Sequence, residues 1–379
     1  VKELNDLNVV ILHDWLTGFR GGERVLEALC EMFPNAPIYT LIHSKGSTSP
    51  IIEAREIHTS FLNTIPGVAN HYRKLLPLFP LAARSLKLPD NVDLVLSSSH
   101  CVIKGVRKPK GSVHVSYIHS PMRYLYDQYD AYFGADAPFY QRFGMMVFKN
   151  YLTRWDLASN ANVDYPIANA EFVRQRIERY YQIDSDVIHP FVDLDDFREL
   201  QKNPLPKENY YLMVTAFSPN KHVGLAIKAF NKMGLKLKII GGGQQERELK
   251  AMARDNVEFL GNTSREDVLK TFAKAQALIF PGVEDFGITP LESLASGTPV
   301  IAYKIGGVLE TLNDECAQFF HEQTPEALES AVLEFEKCGG AGAFSRQALL
   351  DRAEGFSRES FKKAMQEFIF EKLSKKSEA

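Results

Sequence analysis

The stretch ALIFPGVEDFGITPLESLASGTPVIAYKIGGVLET, residues 277–311, opens on an apolar run at 277–280 that is short enough to be a buried parallel strand. A Pro281-Gly282 turn follows, then Glu284, Asp285, Phe286 and Gly287. The pattern predicts a helix with Thr289 as N-cap, Pro290 in its first position and Glu292 three residues after the cap. Gly297 and Pro299 end that short helix before a second buried strand at 300–303. Strand, glycine loop and helix start together make an anion site. The first helical N–H groups lack partners and the macrodipole places partial positive charge there, so a phosphate or diphosphate is held without metal. Glu284 and Glu292 flank this site, and carboxylates would repel a diphosphate. We therefore read them as grips for neutral sugar hydroxyls; taken alone, Glu292 fits a capping box equally well.

The composition sets the wider bounds. A chain of 379 residues, 45% hydrophobic and 24% charged, is long enough for two globular domains. A net charge of −3 with pI near 6.4 argues against general nucleic-acid binding. Cys30, Cys101, Cys316 and Cys338 are widely spaced, with no C-x-x-C pair, as expected of reduced thiols in a cytoplasmic protein. No run approaches the roughly 18 apolar residues of a membrane span. The first ten residues carry none of the features of a signal peptide. The expectation is a cytoplasmic protein, soluble or peripheral at the inner face of the membrane.

Glu284 and Glu292, with seven residues between them in EDFGITPLESLASGTPVIAY, resemble the E-x7-E signature of glycosyltransferase family four, retaining enzymes of the GT-B architecture. RGGERVLEALCEMFPNAPIYTL (20–41) and YIHSPMRYLYDQY (117–129) resemble its mannosyltransferase branch in O-antigen and polysaccharide biosynthesis. The resemblance implies an α/β fold of two Rossmann-like, doubly wound parallel-sheet domains facing a cleft, with a C-terminal helix returning to the first domain. The boundaries expected are 1–203 for the N-terminal acceptor-side domain, 204–355 for the nucleotide-sugar domain and 356–379 for the returning helix. The proline-bearing stretch at 203–206 reads as the linker.

Taken in order, strands are predicted at 9–12, 92–97, 113–118, 165–168, 210–216 and 237–240. A helix is expected from about Glu23, with Gly21 and Gly22 just before it allowing close approach of a ligand, although a glycine pair here also fits a plain turn. His119 follows a strand, where side chains point into the ligand crevice of a doubly wound domain, and a structural role fits it as well. The resemblance assigns it to the transferred sugar, and puts Arg123 and Tyr124 on the acceptor side or in locking the loop. Residues 57–87 mix aromatic, leucine and basic residues, which suits either contact with an anionic membrane or an amphipathic helix over the sheet. The aromatic-rich 132–155 reads as packing. Asp184-Ser185-Asp186 reads as a surface turn rather than a metal motif. Gly241, Gly242 and Gly243 end a strand but do not form a G-x-G-x-x-G fingerprint, so no nicotinamide cofactor is expected.

The catalytic candidates are His119, Glu284 and Lys221. Donor-binding candidates are Gly21, Gly22, Lys221, Gly243, Phe286, Gly287, Ile288, Thr289 and Glu292. The resemblance implies transfer of a hexose, foremost mannose from GDP-mannose, to a glycan or lipid-linked glycan in bacterial surface polysaccharide synthesis, with no metal, no bound cofactor and no nucleic-acid partner. Many members carry an arginine where this chain has Ala216, five residues before Lys221. Alternatives are another donor (a UDP- or dTDP-hexose), a GT-B epimerase or phosphorylase, and a silent nucleotide-sugar-binding subunit.

Overall fold

A computed structural model describes residues 6–127, 129, 133–134 and 139–378. Of the aromatic-rich stretch read as packing, Tyr132 and residues 135–138 lie outside the described residues. The chain divides into two compact units, Val1–His189 with Phe361–Ala379, and Pro190–Ser360.

The first unit is built on a parallel sheet of seven strands: β1 (Val9–His13), β2 (Ile38–Thr40), β3 (Ile57–Thr59), β4 (Leu94–Ser99), β5 (Val113–Ile118), β6 (Tyr165–Ala168) and β7 (Asp186–Val187), in the order β3-β2-β1-β4-β5-β6-β7. The second holds six parallel strands: β8 (Tyr211–Val214), β9 (Leu237–Ile240), β10 (Val257–Gly261), β11 (Leu278–Phe280), β12 (Val300–Tyr303) and β13 (Ala317–Phe320), in the order β10-β9-β8-β11-β12-β13. The central strands are buried along their length, as in β1 and β5, because helices cover both faces of a parallel sheet. That is why they read as largely apolar runs without charged residues, His114 and Ser116 being the polar positions of β5. In each sheet the strand order reverses once, between β1 and β4 and between β8 and β11, and ligands bind outside the carboxyl ends of strands at such a point.

Three expectations are corrected. The boundary falls at 189/190 and not at 203/204, because residues 192–201 are tied into the second unit. Val192 pairs with Ser357, Arg358 with Asp193, and Arg346 donates to the carbonyls of Leu200 and Gln201. The first long helix, Gly21–Met32, includes both glycines in its first turn instead of following them. Residues 57–87 form β3 and then short helical turns, Phe61–Thr64, Val68–His71, Tyr72–Leu78 and Phe79–Ser85, since Pro66, Gly67, Pro77 and Pro80 interrupt any longer helix. The closing helix, Arg358–Glu378, does return to the first unit. Phe361 meets Tyr117 edge-on, and Lys362 and Lys372 pair with Glu31 and Asp186.

Glycines set how closely the loops of the second unit approach. A Cβ on Gly307 would lie 2.3 Å from the Asp285 carbonyl oxygen, and one on Gly241, at φ +134°, would lie 1.9 Å from that of Thr215. Gly307 has an ordinary φ of −62°, so its constraint is purely steric. Gly234, at φ +72° with no atom within 4 Å of a would-be Cβ, is constrained only by conformation. We expect Gly307→Ala to cost about 3 kcal/mol or more by overpacking, against about 1 kcal/mol for Gly234→Ala. Urea denaturation of the two variants measures this; equal shifts would mean that the 284–286 loop can move aside.

Candidate functional site

In the second unit, Glu284 and Lys221 come from opposite sides of the reversal point. Lys221 ends the short turn Pro219–Lys221 that follows β8, and Glu284 lies in the loop after β11. Their charged atoms are 2.5 Å apart, in side chains that are mostly but not wholly buried. The close approach is permitted by Gly282, whose Cβ would meet the Asn220 carbonyl oxygen at 2.9 Å and Lys221 Cα at 3.1 Å. His222, immediately after the lysine, adopts φ +52°, a left-handed conformation that costs a non-glycine residue energy and fixes where the chain turns into the helix Val223–Met233.

The helix after Glu284 runs Ile288–Ala295 and is capped by Gly287 at φ +92°, not by Thr289. Thr289 and Pro290 are thus inside the first turn, and Glu292 is too far along to complete a capping box. Its carboxylate is instead held by a residue the sequence reading missed. Arg265 donates to Glu292 Oε1 at 2.8 Å and, through Nε and Nη2, to Asp196. Burial opposes the charge on Arg265, but Glu292 and Asp196 more than offset it and its pKa is raised. One carboxylate oxygen of Glu292 is thereby oriented by a guanidinium, which leaves the other able to accept hydrogen bonds.

The remaining candidates contribute backbone. The Phe286 ring is buried and meets Phe356 edge-on at 5.7 Å, so it offers no face to a ligand. Gly287, Ile288 and Thr289 carry the helix start. Gly243 is explained by packing, since its Cβ would meet the Phe217 carbonyl oxygen at 2.7 Å. Ala216 is exposed in the loop after β8.

In the first unit the carboxyl ends of β1, β4 and β5 bring together three imidazoles. Ser98 Oγ lies 3.1 Å from His13 Nδ1 and 2.8 Å from His119 Nε2, bridging them at the point where the strand order reverses. His100 stacks edge-on against Trp15 and lies 3.3 Å from the Asp14 carboxylate. Asp14 is fully buried and accepts from four successive backbone N–H groups, those of His100, Cys101, Val102 and Ile103. Gly22 faces this cluster, with a would-be Cβ 3.7 Å from His13 and 3.8 Å from His119. Glu23 accepts from the Arg20 N–H, capping the helix, and points its other oxygen toward His13 Nε2 at 3.9 Å. Burial pushes the Glu23 pKa up, but His13, its own backbone and His100 hold it below the ordinary value. Burial holds His119 well below the usual histidine range, assisted by His100, His13 and Arg123. His119 is therefore a neutral imidazole near pH 7, suited to hydrogen bonding and not to charge neutralisation.

The two weaker candidates lock the loop. The Tyr124 hydroxyl lies 2.6 Å from Cys101 Sγ, and Arg123 reaches Ser120 Oγ at 3.4 Å. His13, Asp14, Ser98 and Glu23 were not singled out in the sequence. His13-Asp14 at the end of β1 was the available signal, since polar residues closing an apolar strand occupy a crevice.

Comparison with known proteins matches residues 19–196 to the family model described as Glycosyltransferase Family 4 and residues 195–351 to that described as Glycosyl transferases group 1. The chain is 32% identical over 179 residues to the O-antigen chain mannosyltransferase RfbU of Salmonella typhimurium, covering 44% of this chain and 49% of that protein. It is 26% identical over 294 residues to the alpha-1,3/1,6-mannosyltransferase ALG2 of Saccharomyces cerevisiae, covering 60% and 58%. The matched stretches thus span about half the length of these relatives. Among solved structures, sucrose-phosphate synthase of Thermosynechococcus elongatus superposes with a TM-score of 0.73 at 17% identity over 97% of this chain and 99% of that one. WaaG, a glycosyltransferase involved in lipopolysaccharide biosynthesis, gives 0.66 at 17% identity over 95% and 99%.

The histidines of the first unit predict a pH dependence. Burial lowers the pKa of His100 and His119 and takes His114 from 6.5 to about 4. Their folded-state values lie below the unfolded one, so between the two the unfolded chain binds more protons. Stability is then full above about pH 6.5 and falls as pH drops, by up to about 1.4 kcal/mol per pH unit for each such group. Denaturation midpoints measured from pH 7 to pH 5 should decline, and His114→Gln should flatten the decline; a midpoint independent of pH over that range would refute it.

Proposed function

Because the chain belongs to the GT-B glycosyltransferases, we propose that it moves a hexose, foremost mannose from GDP-mannose, to a glycan acceptor carried on a lipid, in the synthesis of a bacterial surface polysaccharide. The observation that carries the reading is the second unit's reversal point. There an amino-terminal helix turn, a lysine and two separately oriented carboxylates occur together. The mannosyltransferase names of the two relatives support the choice of sugar, and the first of them supports the polysaccharide.

Each part has a chemical task. The N–H groups of Gly287, Ile288 and Thr289 and the Lys221 ammonium hold the diphosphate, and lysine suits this because its three donors can serve phosphate and Glu284 together. Glu292, oriented by Arg265, accepts from ribose hydroxyls, and Glu284 from hydroxyls of the transferred sugar. In the first unit, His119, neutral and braced by Ser98, is suited to hydrogen-bond a hydroxyl group. Transfer forms a bond from the acceptor oxygen to the anomeric carbon as the bond to the diphosphate breaks. The acceptor proton passes to a phosphate oxygen of the leaving nucleoside diphosphate, with retention of configuration. No metal or further cofactor is invoked, since the cationic and N–H groups stabilise the leaving charge, a contribution of about 10²–10³ in rate per donor in comparable sites.

Calorimetry with GDP-mannose, UDP-hexoses and dTDP-hexoses tests the donor; we expect GDP-mannose to bind most tightly, and a UDP preference would overturn the assignment of mannose. Glu292→Ala should cost roughly 1.5–3 kcal/mol of donor affinity. Glu284→Gln should lower transfer by about a hundredfold or more with donor binding largely kept. Full activity in the glutamine variant would remove the role given to Glu284.

A further inference from the structure

Side chains at the carboxyl ends of β1, β4 and β5 form one row of hydrogen bonds. Ser98 Oγ lies 3.1 Å from His13 Nδ1 and 2.8 Å from His119 Nε2. His13 and Ser98 are fully buried, whereas His119 is half-buried. At the inner end of the row, His13 Nε2 is buried and has no hydrogen-bond partner among the described residues. It faces Glu23 Oε1 at 3.9 Å. The other Glu23 oxygen accepts the Arg20 N–H at the start of the helix Gly21–Met32, which holds the carboxylate in place. At the outer end, His119 Nδ1 makes no hydrogen bond among the described residues and is not sealed from solvent.

Counting hydrogens orders the row. A neutral imidazole has one N–H and one bare nitrogen, and a hydroxyl has one hydrogen to give. Burial opposes the charge on Glu23, but His13 and its own backbone keep it ionised near neutral pH, so it can only accept. A bare Nε2 on His13 would turn its lone pair toward that negative charge, so the hydrogen of His13 belongs on Nε2. His13 Nδ1 is then bare and takes the Ser98 O–H. Ser98 has no second hydrogen, so its contact with His119 requires the hydrogen of His119 to sit on Nε2. His119 Nδ1 is left with a lone pair. The reverse arrangement holds the same three hydrogens but puts an N–H on His119 Nδ1, and Glu23 decides between the two. His100 stays outside the row: its ring lies 6.1 Å from that of His13 and 6.3 Å from that of His119, and its Nδ1 is turned to Asp14 at 3.3 Å.

We propose that Glu23, acting through His13 and Ser98, fixes the tautomer of His119 so that Nδ1 accepts a hydrogen bond from a ligand hydroxyl. Glu23, His13 and Ser98 are thus positioning residues. At this point the first unit selects a ligand group that donates and disfavours one that only accepts, such as an ether oxygen. That the hydroxyl belongs to a sugar rests on the transfer reading; the tautomer does not.

Long-range ¹H–¹⁵N correlation spectra of the full chain labelled with ¹⁵N-histidine test this at pH 8, above the ordinary histidine range. His13→Asn and His119→Asn assign the two rings by loss of signal. The wild type should show a protonated Nε2 and a bare Nδ1 in both. Glu23→Gln should invert both, because its carbonyl keeps the Arg20 N–H while its amide N–H faces His13 Nε2. Ser98→Ala should uncouple the ends, so that adding Glu23→Gln to it no longer changes His119. Hydrogen on His119 Nδ1 in the wild type, hydrogen on both nitrogens of His13, or a His119 signal unmoved by Glu23→Gln overturns the proposal. The wild-type spectrum decides even where a variant fails to fold. The spectra need no substrate, so they stand apart from the transfer reading. In a transfer assay Glu23→Gln should lower kcat/KM about tenfold, the loss of roughly one hydrogen bond. An inverted tautomer with undiminished transfer would overturn the hydroxyl contact.

Discussion

The second unit depends on the Lys221–Glu284 ion pair being assembled where two strand-end loops meet. Nothing local to either residue creates it. The pair forms because β8 and β11 are neighbours at the reversal of the sheet and because glycine at 282, 306 and 307 removes the Cβ atoms that would hold the loops apart. A would-be Cβ on Gly306 would strike the Glu284 carbonyl oxygen at 2.7 Å, and the Gly307 N–H donates to that same oxygen at 2.9 Å. The loop bearing the acid is therefore clamped from one side by Gly306 and Gly307 and approached from the other by Asn220 and Lys221.

The first unit reaches comparable order by a different route. Among the described residues Asp14 is a buried carboxylate that faces an imidazole, His100, and no lysine or arginine, and it is stabilised by four backbone N–H groups that would otherwise be orphaned at the end of β4. That arrangement pins residues 100–103 against the end of β1. It sets the positions of His100 and, through Ser98, of His13 and His119. Burial then keeps His119 uncharged, so this unit offers oriented neutral dipoles while the second offers fixed charges.

Much of this was legible beforehand. The mostly apolar stretches at β5, β6 and β9 match the observed strands residue for residue, because strands covered on both faces by helices are rich in apolar residues over their whole length. The helix stop at Gly297 and Pro299 and the closing amphipathic helix were equally readable. Less legible were the helix starts. Thr289 followed by Pro290 and Glu292 has the residue types of a capping box, yet the helix begins two residues earlier than that box implies, at Ile288, with Gly287 in the left-handed conformation at the N-cap position. The short turns from residue 61 to residue 85 follow from proline and glycine positions, while an average over their composition suggested a single amphipathic helix.

By itself the sequence determined the fold class and the place of most central strands, and it named candidate residues for a diphosphate and sugar hydroxyls. Those features rest on local periodicity and on glycine, proline and capping chemistry, which act within a few residues. Only the tertiary structure decided that Arg265 orients Glu292, that Ser98 bridges histidines 85 and 21 residues away, and that Phe286 turns inward. It also decided that Tyr124 is spent on Cys101. Those partnerships depend on which strands lie side by side, and side-chain meetings across a sheet have no periodic signal along the chain.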